Sequence, residues 1–368
     1  MRKGFLVLVA LIILVASMGG SRVVVITKAQ AGETGAGDYR DLNLIVTVQG
    51  QVRVKREGWD RYALASFGTT LRRGDLLRLD EASHAKLVCA DLTEHEAVIG
   101  IQGIPCTVTN PILTYGSSAV VPTRSSRYGS FPIVVSPRKT NLLNPRPKLR
   151  WTPVSGATAY KVTVRGPDLN WTTDVGSITE LIYPESAPAL KSKTDYKLIV
   201  TANGRQSDEE SEAGLGFTVL RSNEAKKVRK QEQMIRELRL ADAPQRLLIA
   251  YLYASHRLYA EAIEQLEELS KTIEEPALAR LLGDLYMGIR LIRHSERSYL
   301  LGLERSEKAN DQEGQALAHH ALSKIYEALS NRGSMIRHLN SALELYNKLG
   351  DRQTTAQIKE LLAGRKQQ

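Results

Sequence analysis

The chain has 368 residues, 42% of them hydrophobic and 24% charged, with a formal net charge of +10. The length exceeds one small core and sets an expectation of several folding units of roughly 150 residues each. Aromatics are only 6% and the basic excess is spread along the chain, so a nucleic-acid surface, which needs clustered cations and stacking rings, is not expected.

Arg2 and Lys3 precede an unbroken apolar run of 12 residues, Phe5 to Ala16. That is short of the about 20 residues a membrane span needs. Ala29-Gln30-Ala31 fits a small-x-small cleavage site. Residues 1–31 therefore read as a secretory signal peptide or, if retained, an N-terminal anchor. Either reading exports the rest, as a periplasmic, extracellular or outward-facing membrane-anchored chain. No Cys follows the run, which argues against a lipoprotein. In such a compartment the two cysteines, Cys89 and Cys106, are expected to pair; the alternative is two small buried thiols.

Residues 43–135 carry strand texture. In "LIVTVQGQVRVKR", Ile45, Thr47 and Gln49 alternate with Val46 and Val48, then Val52 and Val54. Gly50 marks a bulge or tight bend, and Gly74-Asp75 in "LRRGDLLRL" a turn. "AKLVCADL" and "AVIGI" read as strands around a "TEHE" turn, and the Pro-, Ser- and Gly-rich stretch 105–132 as edges and loops. These elements, taken as 40–135, resemble the FecR-type β-domain of bacterial envelope proteins, and depart from it in lacking Thr-Gly after "LRRGDLLRL".

Residues 137–220 alternate differently. Leu149 and Trp151, then Tyr160, Val162 and Val164, take every second position, and "TDYKLIVTA" adds a strand. About seven short strands over this span suit a two-sheet sandwich. Trp151 is large enough to plug its core, and Tyr196 is placed to tie a corner. "LRWTPVSGATAYKVTV" resembles fibronectin type III-like domains. Trp151 and Tyr160 read as buried; Trp171, beside Asn170, is a candidate for a glycan contact. "SDEESEA" reads as an acidic turn before the strand "GFTVL".

From Ser222 onward the chain is helical. Residues 222–242 read as a linker helix with Val228, Met234, Ile235 and Leu238 inward and "KKVRK", residues 226–230, as its solvated face. After Ala243 an apolar–small–x–x–Tyr pattern recurs. The small residues are Ala250, Gly283 and Ser323, and the tyrosines Tyr253, Tyr286 and Tyr326. The helices that follow carry Ala262 and Leu266, then Ser295, Tyr299 and Gly302, then Leu339 and Ala342. An interior Gly costs a helix roughly 1 kcal/mol relative to Ala; Gly283 is expected to recover this as a notch for close helix packing. Residues 243–364 resemble a tetratricopeptide repeat array, best in the middle unit, with Met335 where a small residue is usual and a capping helix at 351–363. The fold class is thus multidomain: an N-terminal all-β FecR-like unit, a central fibronectin III-like sandwich and a C-terminal all-α repeat solenoid. That order, with the linking "SPRKTNLLNPRPKLRW", is similar to a family of exported bacterial proteins.

Chemistry-bearing motifs are missing. "HEAVI" at His95 lacks the second His of a zinc-protease helix; no Gly-x-Ser-x-Gly or phosphate loop occurs. His319 and His320 are adjacent on a helix and diverge by about 100°, so they cannot chelate together. The pairs Glu267-Glu268 and Glu274-Glu275 read as solvated helix ends. No cofactor, metal or enzymatic activity is expected. The resemblance to tetratricopeptide repeats implies a ligand-facing surface on the first helices: Leu247, Tyr251 and Ala254; Arg280, Asp284 and Met287; His320, Lys324 and Glu327. The expectation is a non-enzymatic envelope scaffold or adaptor that binds a protein or peptide there. Envelope signal sensing through the FecR-like unit, and cell-wall or glycan adhesion through the β-units, are the alternatives. Nucleic acid is not expected, and membrane only through an uncleaved N-terminal segment.

Overall fold

Alternation along the first strands builds a sandwich with one unusual member. The computed structural model describes residues 42–106 and 131–366; the leader and most of the Pro-rich stretch 105–132 lie outside them. One antiparallel sheet is ordered β4 (Thr70–Leu71), β1 (Asn43–Gln49), β6 (His84–Val88), β7 (Glu94–Glu96). The other is β3 (Ala63–Leu64), β2 (Val52–Lys55), β5 (Leu76–Leu79), β8 (Gly100–Gly103). Ile45, Val52, Val54, Leu71, Leu77, Leu79 and Leu87 form the core between them. The chain turns from β1 to β2 at Gly50, whose φ of 72° suits glycine and where a Cβ would lie 2.7 Å from Ser83 Oγ. The β6–β7 turn falls earlier than "TEHE": Leu92 takes the left-handed conformation, φ 66°, and Glu94–Glu96 are already strand. Cys89 and Cys106 form a disulfide with a Cα separation of 5.4 Å. Strand β1 is buried on both faces: Ile45 enters the sandwich, whereas Leu44 and Val46 join a second core shared with helices.

The second β-unit begins at β9 (Val134–Ser136), which pairs with β11 (Lys148–Trp151) although Val134 and Val135 fall within the range expected for the first unit. β14 (Glu180–Ile182) completes that sheet. A second sheet is ordered β13 (Leu169–Val175), β12 (Tyr160–Gly166), β15 (Lys197–Ala202), β16 (Arg205–Gln206). β10 (Thr140–Leu142) and β17 (Phe217–Val219) run parallel beside them. Trp151 packs on Tyr160 with ring centroids 5.7 Å apart inside this core. The Tyr196 hydroxyl accepts from the Lys191 N–H at 2.8 Å, the corner tie expected of that residue.

Eight helices follow among the described residues: α1 (Ser222–Glu237), α2 (Asp242–Ser255), α3 (Tyr259–Leu269), α4 (Pro276–Gly288), α5 (Ile292–Lys308), α6 (Gln312–Ala328), α7 (Arg332–Leu349) and α8 (Arg352–Lys366). The pairs α2/α3, α4/α5 and α6/α7 are helical hairpins. Each is turned by one left-handed residue, Arg257, Arg290 or Ser330, with φ of 59°, 61° and 56°; such a residue ends a helix by satisfying its last carbonyls. Gly283 is the notch: a Cβ there would lie 2.9 Å from the Tyr299 ring of α5. Ala250, Ala262, Ala342 and Ser323 are likewise buried small residues at helix contacts.

Successive hairpins are joined by one repeated hydrogen bond. The Tyr253 hydroxyl donates to Glu232 of α1 at 2.9 Å, Tyr286 to Glu267 of α3 at 2.5 Å, and Tyr326 to Glu296 of α5. Helix α1 thus stands to α2 as α3 stands to α4. It is the first stacked helix of the array, docked through Ala225, Val228 and Ile235, while Met234, expected inward, is 44% exposed.

Candidate functional site

The face shared by α2, α4 and α6 holds all nine residues expected to meet a ligand, and the structure treats its three parts differently. Leu247, Tyr251 and Ala254 are buried, at 1%, 9% and 3% exposure. They lie in one core with Leu44 and Val46 of β1. The turn after β3 covers the N-terminal ends of α2 and α4: at Gly68 a Cβ would meet Ala277 at 3.1 Å and Leu247 at 3.7 Å. The first part of the surface, Tyr251 included, is therefore closed inside the chain's own core, with the β-unit lying against Leu247.

The middle part is turned inward. Arg280 donates to Ser306 Oγ at 3.1 Å and to Asp311 at 3.4 Å. Its stem rests where a Cβ on Gly302 would come within 3.0 Å, and its guanidinium fills the space a Cβ on Gly314 would need. Asp284 accepts a hydrogen bond from the Tyr299 hydroxyl. Burial pushes the Asp284 carboxyl up to about 7, against the pull of that hydrogen bond and of Arg280 and Lys324. Met287 is half-buried against the core of α5 and α6.

The last part is the most open. Glu327 is exposed; His320 and Lys324 are half-buried. Burial lowers the Lys324 ammonium below the ordinary lysine range, with Asp284 and Glu327 opposing. His320 stands edge-on to Tyr346 at 6.2 Å, and burial pulls its imidazole down to about 4. His319 points elsewhere, its Nδ1 2.8 Å from His338 Nδ1, with Tyr326 stacked on His338. The adjacent histidines thus diverge as expected. Among the described residues no group of three or more His, Cys, Asp or Glu is arranged to hold a metal ion.

One buried ion pair, one half-buried pair and several hydrogen bonds join the β-units to the helices, and nothing in the sequence pattern marked them. Arg56 grips both carboxylate oxygens of Glu313 at 2.8 and 3.0 Å and also meets Asp75 at 2.5 Å. Although burial works against the charge, Glu313 and Asp75 hold the Arg56 pKa above its ordinary value. Arg138 donates to the Ile289 carbonyl at 3.0 Å and pairs with Asp208 and Glu209, so the acidic turn 207–213 is in part a buried counter-charge. Arg150 pairs with both oxygens of Glu267 at 2.7 and 3.0 Å, and Glu275 bonds Ser66, so neither glutamate is a solvated helix end. Thr140 and Asn141 bond the carbonyls of Arg257 and His256 at the α2–α3 turn. The partners from the second β-unit, Arg138, Thr140, Asn141 and Arg150, all lie within "SPRKTNLLNPRPKLRW". That stretch carried a signal as a linking motif; nothing in it announced which helices it would hold.

Trp171 stands edge-on to Tyr183, centroids 4.9 Å apart, half-buried against the sandwich core. No helix among the described residues is long and apolar enough to cross a membrane. No family model matches this chain, and no curated protein matches it.

Proposed function

We propose that this chain is a non-enzymatic, exported scaffold in which a FecR-type β-domain, a fibronectin III-like sandwich and a tetratricopeptide repeat array act as one rigid piece. A protein segment binds the part of the first-helix face that the chain does not fill itself, where Met287, His320, Lys324 and Glu327 lie. The observation that carries this reading is the asymmetry of that face. Its first unit is occupied by the β-unit at Leu44, Val46 and Gly68, and its last unit keeps partly exposed polar side chains. The buried Arg56–Glu313 pair supports the rigid-piece reading, since cutting it leaves a charge without its full compensation.

Affinity capture from envelope extract with the full chain, compared with Lys324→Glu plus Glu327→Lys, tests it. Loss of the captured protein in the double variant is the expected result; undiminished capture rejects the groove. Arg280→Glu is unsuited to this test, because Arg280 is bonded to Ser306 and Asp311. For adhesion through the β-units, the edge-on packing of Trp171 on Tyr183 speaks against an open sugar platform.

A further inference from the structure

Helix α1 has a second face that the array does not use. Ala225, Val228 and Ile235 are buried, and Lys226, Lys227, Arg229, Lys230 and Met234 are exposed. Lys226, Lys230 and Met234 follow one another at intervals of four, and Lys227 is three before Lys230, so these four share the outward side. Two of the helix's acidic side chains, Glu224 and Glu232, are paired with cations off this side, and the third, Glu237, is held by the neutral amide of Gln233. Glu224 pairs with Lys193 at 3.3 Å, Glu232 with Arg236 at 2.8 Å and with Tyr253, and Glu237 with Gln233 at 2.9 Å. Among the described residues the outward side thus carries three ammonium groups and one exposed thioether, with one carboxylate, Glu237, a turn beyond Met234 at its C-terminal end.

We propose that this face of α1 docks on an anionic lipid bilayer. Ammonium groups on short spacing are drawn to acidic headgroups over a Debye length, and an exposed Met beside them can enter the headgroup boundary, as on interfacial helices. The bilayer is the occupant chosen because the same chain carries a basic start and an apolar run at Phe5 to Ala16. The 25 residues from 17 to 41 separate that run from the described body. Two weak signals on one chain reinforce each other through effective concentration. The bilayer face lies on α1 and the proposed groove on α4 and α6, so either can stand without the other.

The test uses the full chain with Met234→Cys, the native cysteines being paired with each other. A fluorophore on that thiol is read with a water-soluble quencher. Vesicles are phosphatidylcholine alone, or phosphatidylcholine and phosphatidylglycerol in equal parts. Expected is protection of the label by the phosphatidylglycerol vesicles only, reversed by high salt. Lys226→Glu, Lys227→Glu and Lys230→Glu together should weaken that protection at least about tenfold; all three side chains are exposed, so the fold is kept and circular dichroism checks it. Equal protection by both vesicles, protection unchanged in the triple variant, or chain that binds vesicles while the label stays open to quencher would each overturn the proposal. So would equal protection by a soluble anionic polysaccharide, which would make the face a general polyanion site.

Discussion

The guanidinium of Arg56 and the carboxylate of Glu313 meet through two hydrogen bonds, of 2.8 and 3.0 Å, although 257 positions separate them in the chain. Both side chains are nearly inaccessible, at 6% and 8% exposure. The pair ties the edge of the first β-unit to the first turn of α6. Removing one partner from a buried pair is far more costly than never having built it. Glu313→Gln is expected to destabilise the protein by about 3 kcal/mol, read by chemical denaturation. A loss below about 1 kcal/mol would mean that Asp75 alone compensates Arg56.

Gly283→Ala tests the notch. On an isolated helix the change would add roughly 1 kcal/mol of stability. Here the new methyl meets the Tyr299 ring at 2.9 Å, and overpacking of this kind costs about 1–3 kcal/mol. A net loss of thermal stability is expected. Adding Tyr299→Leu should make the alanine tolerated, so a double-mutant cycle should show strong coupling. Independent effects would mean that the two helices part at no cost.

Tyr253→Phe removes the hydroxyl that α2 offers to Glu232 of α1, a bond of 2.9 Å. Hydrogen bonds to charged groups contribute about 1.5–3 kcal/mol. Faster amide hydrogen exchange confined to α1 is the expected signature, since the array behind it keeps its own packing. Unchanged exchange in residues 222–237 would show that Ala225, Val228 and Ile235 suffice to dock the helix.

Stability should depend on pH in two opposed ways. Burial raises the Asp284 carboxyl from 3.8 to about 7, so the folded chain holds that proton more tightly. The stability it contributes is full below about pH 4 and is lost as pH rises through 7. Burial lowers His319 and His320 from 6.5 to about 4. Their contribution is full above 6.5 and is lost as pH falls towards 4. Asp284→Asn removes the first effect and leaves the second. Between pH 5 and pH 7 the variant's unfolding free energy should rise more steeply with pH than the parent's. Parallel curves would mean that Asp284 is already ionised in the fold.

Reducing the Cys89–Cys106 bond opens a loop of sequence separation 17. The chain-entropy model assigns such a loop about 3 kcal/mol. Reductant should lower the denaturation midpoint, and Cys89→Ser plus Cys106→Ser should lower it equally without responding to reductant. A midpoint indifferent to both would show that the β6–β7 hairpin holds this corner unaided.

What could be read in the chain was local or periodic. Period two placed Val52, Val54, Val162 and Val164 in strands, and the recurring Tyr marked three helix pairs. Gly283 could be read as a notch because helix propensity alone makes an interior Gly a loss. Tyr196, Trp151 and the cysteine pair were legible because their size or chemistry leaves few places for them. The filling of the first-helix face was not legible. Leu247 and Tyr251 look alike whether a partner or the chain itself covers them. Glu267 reads as a solvated helix end and nothing in the sequence marks Glu313 or Arg138, because a charge's partner is fixed by three-dimensional approach and not by spacing along the chain. Amino-acid order thus determined the β-then-α succession and the repeat period. Only tertiary structure decided which part of the repeat face stays open, because that depends on where a strand pair from one end of the molecule comes to rest against helices from the other.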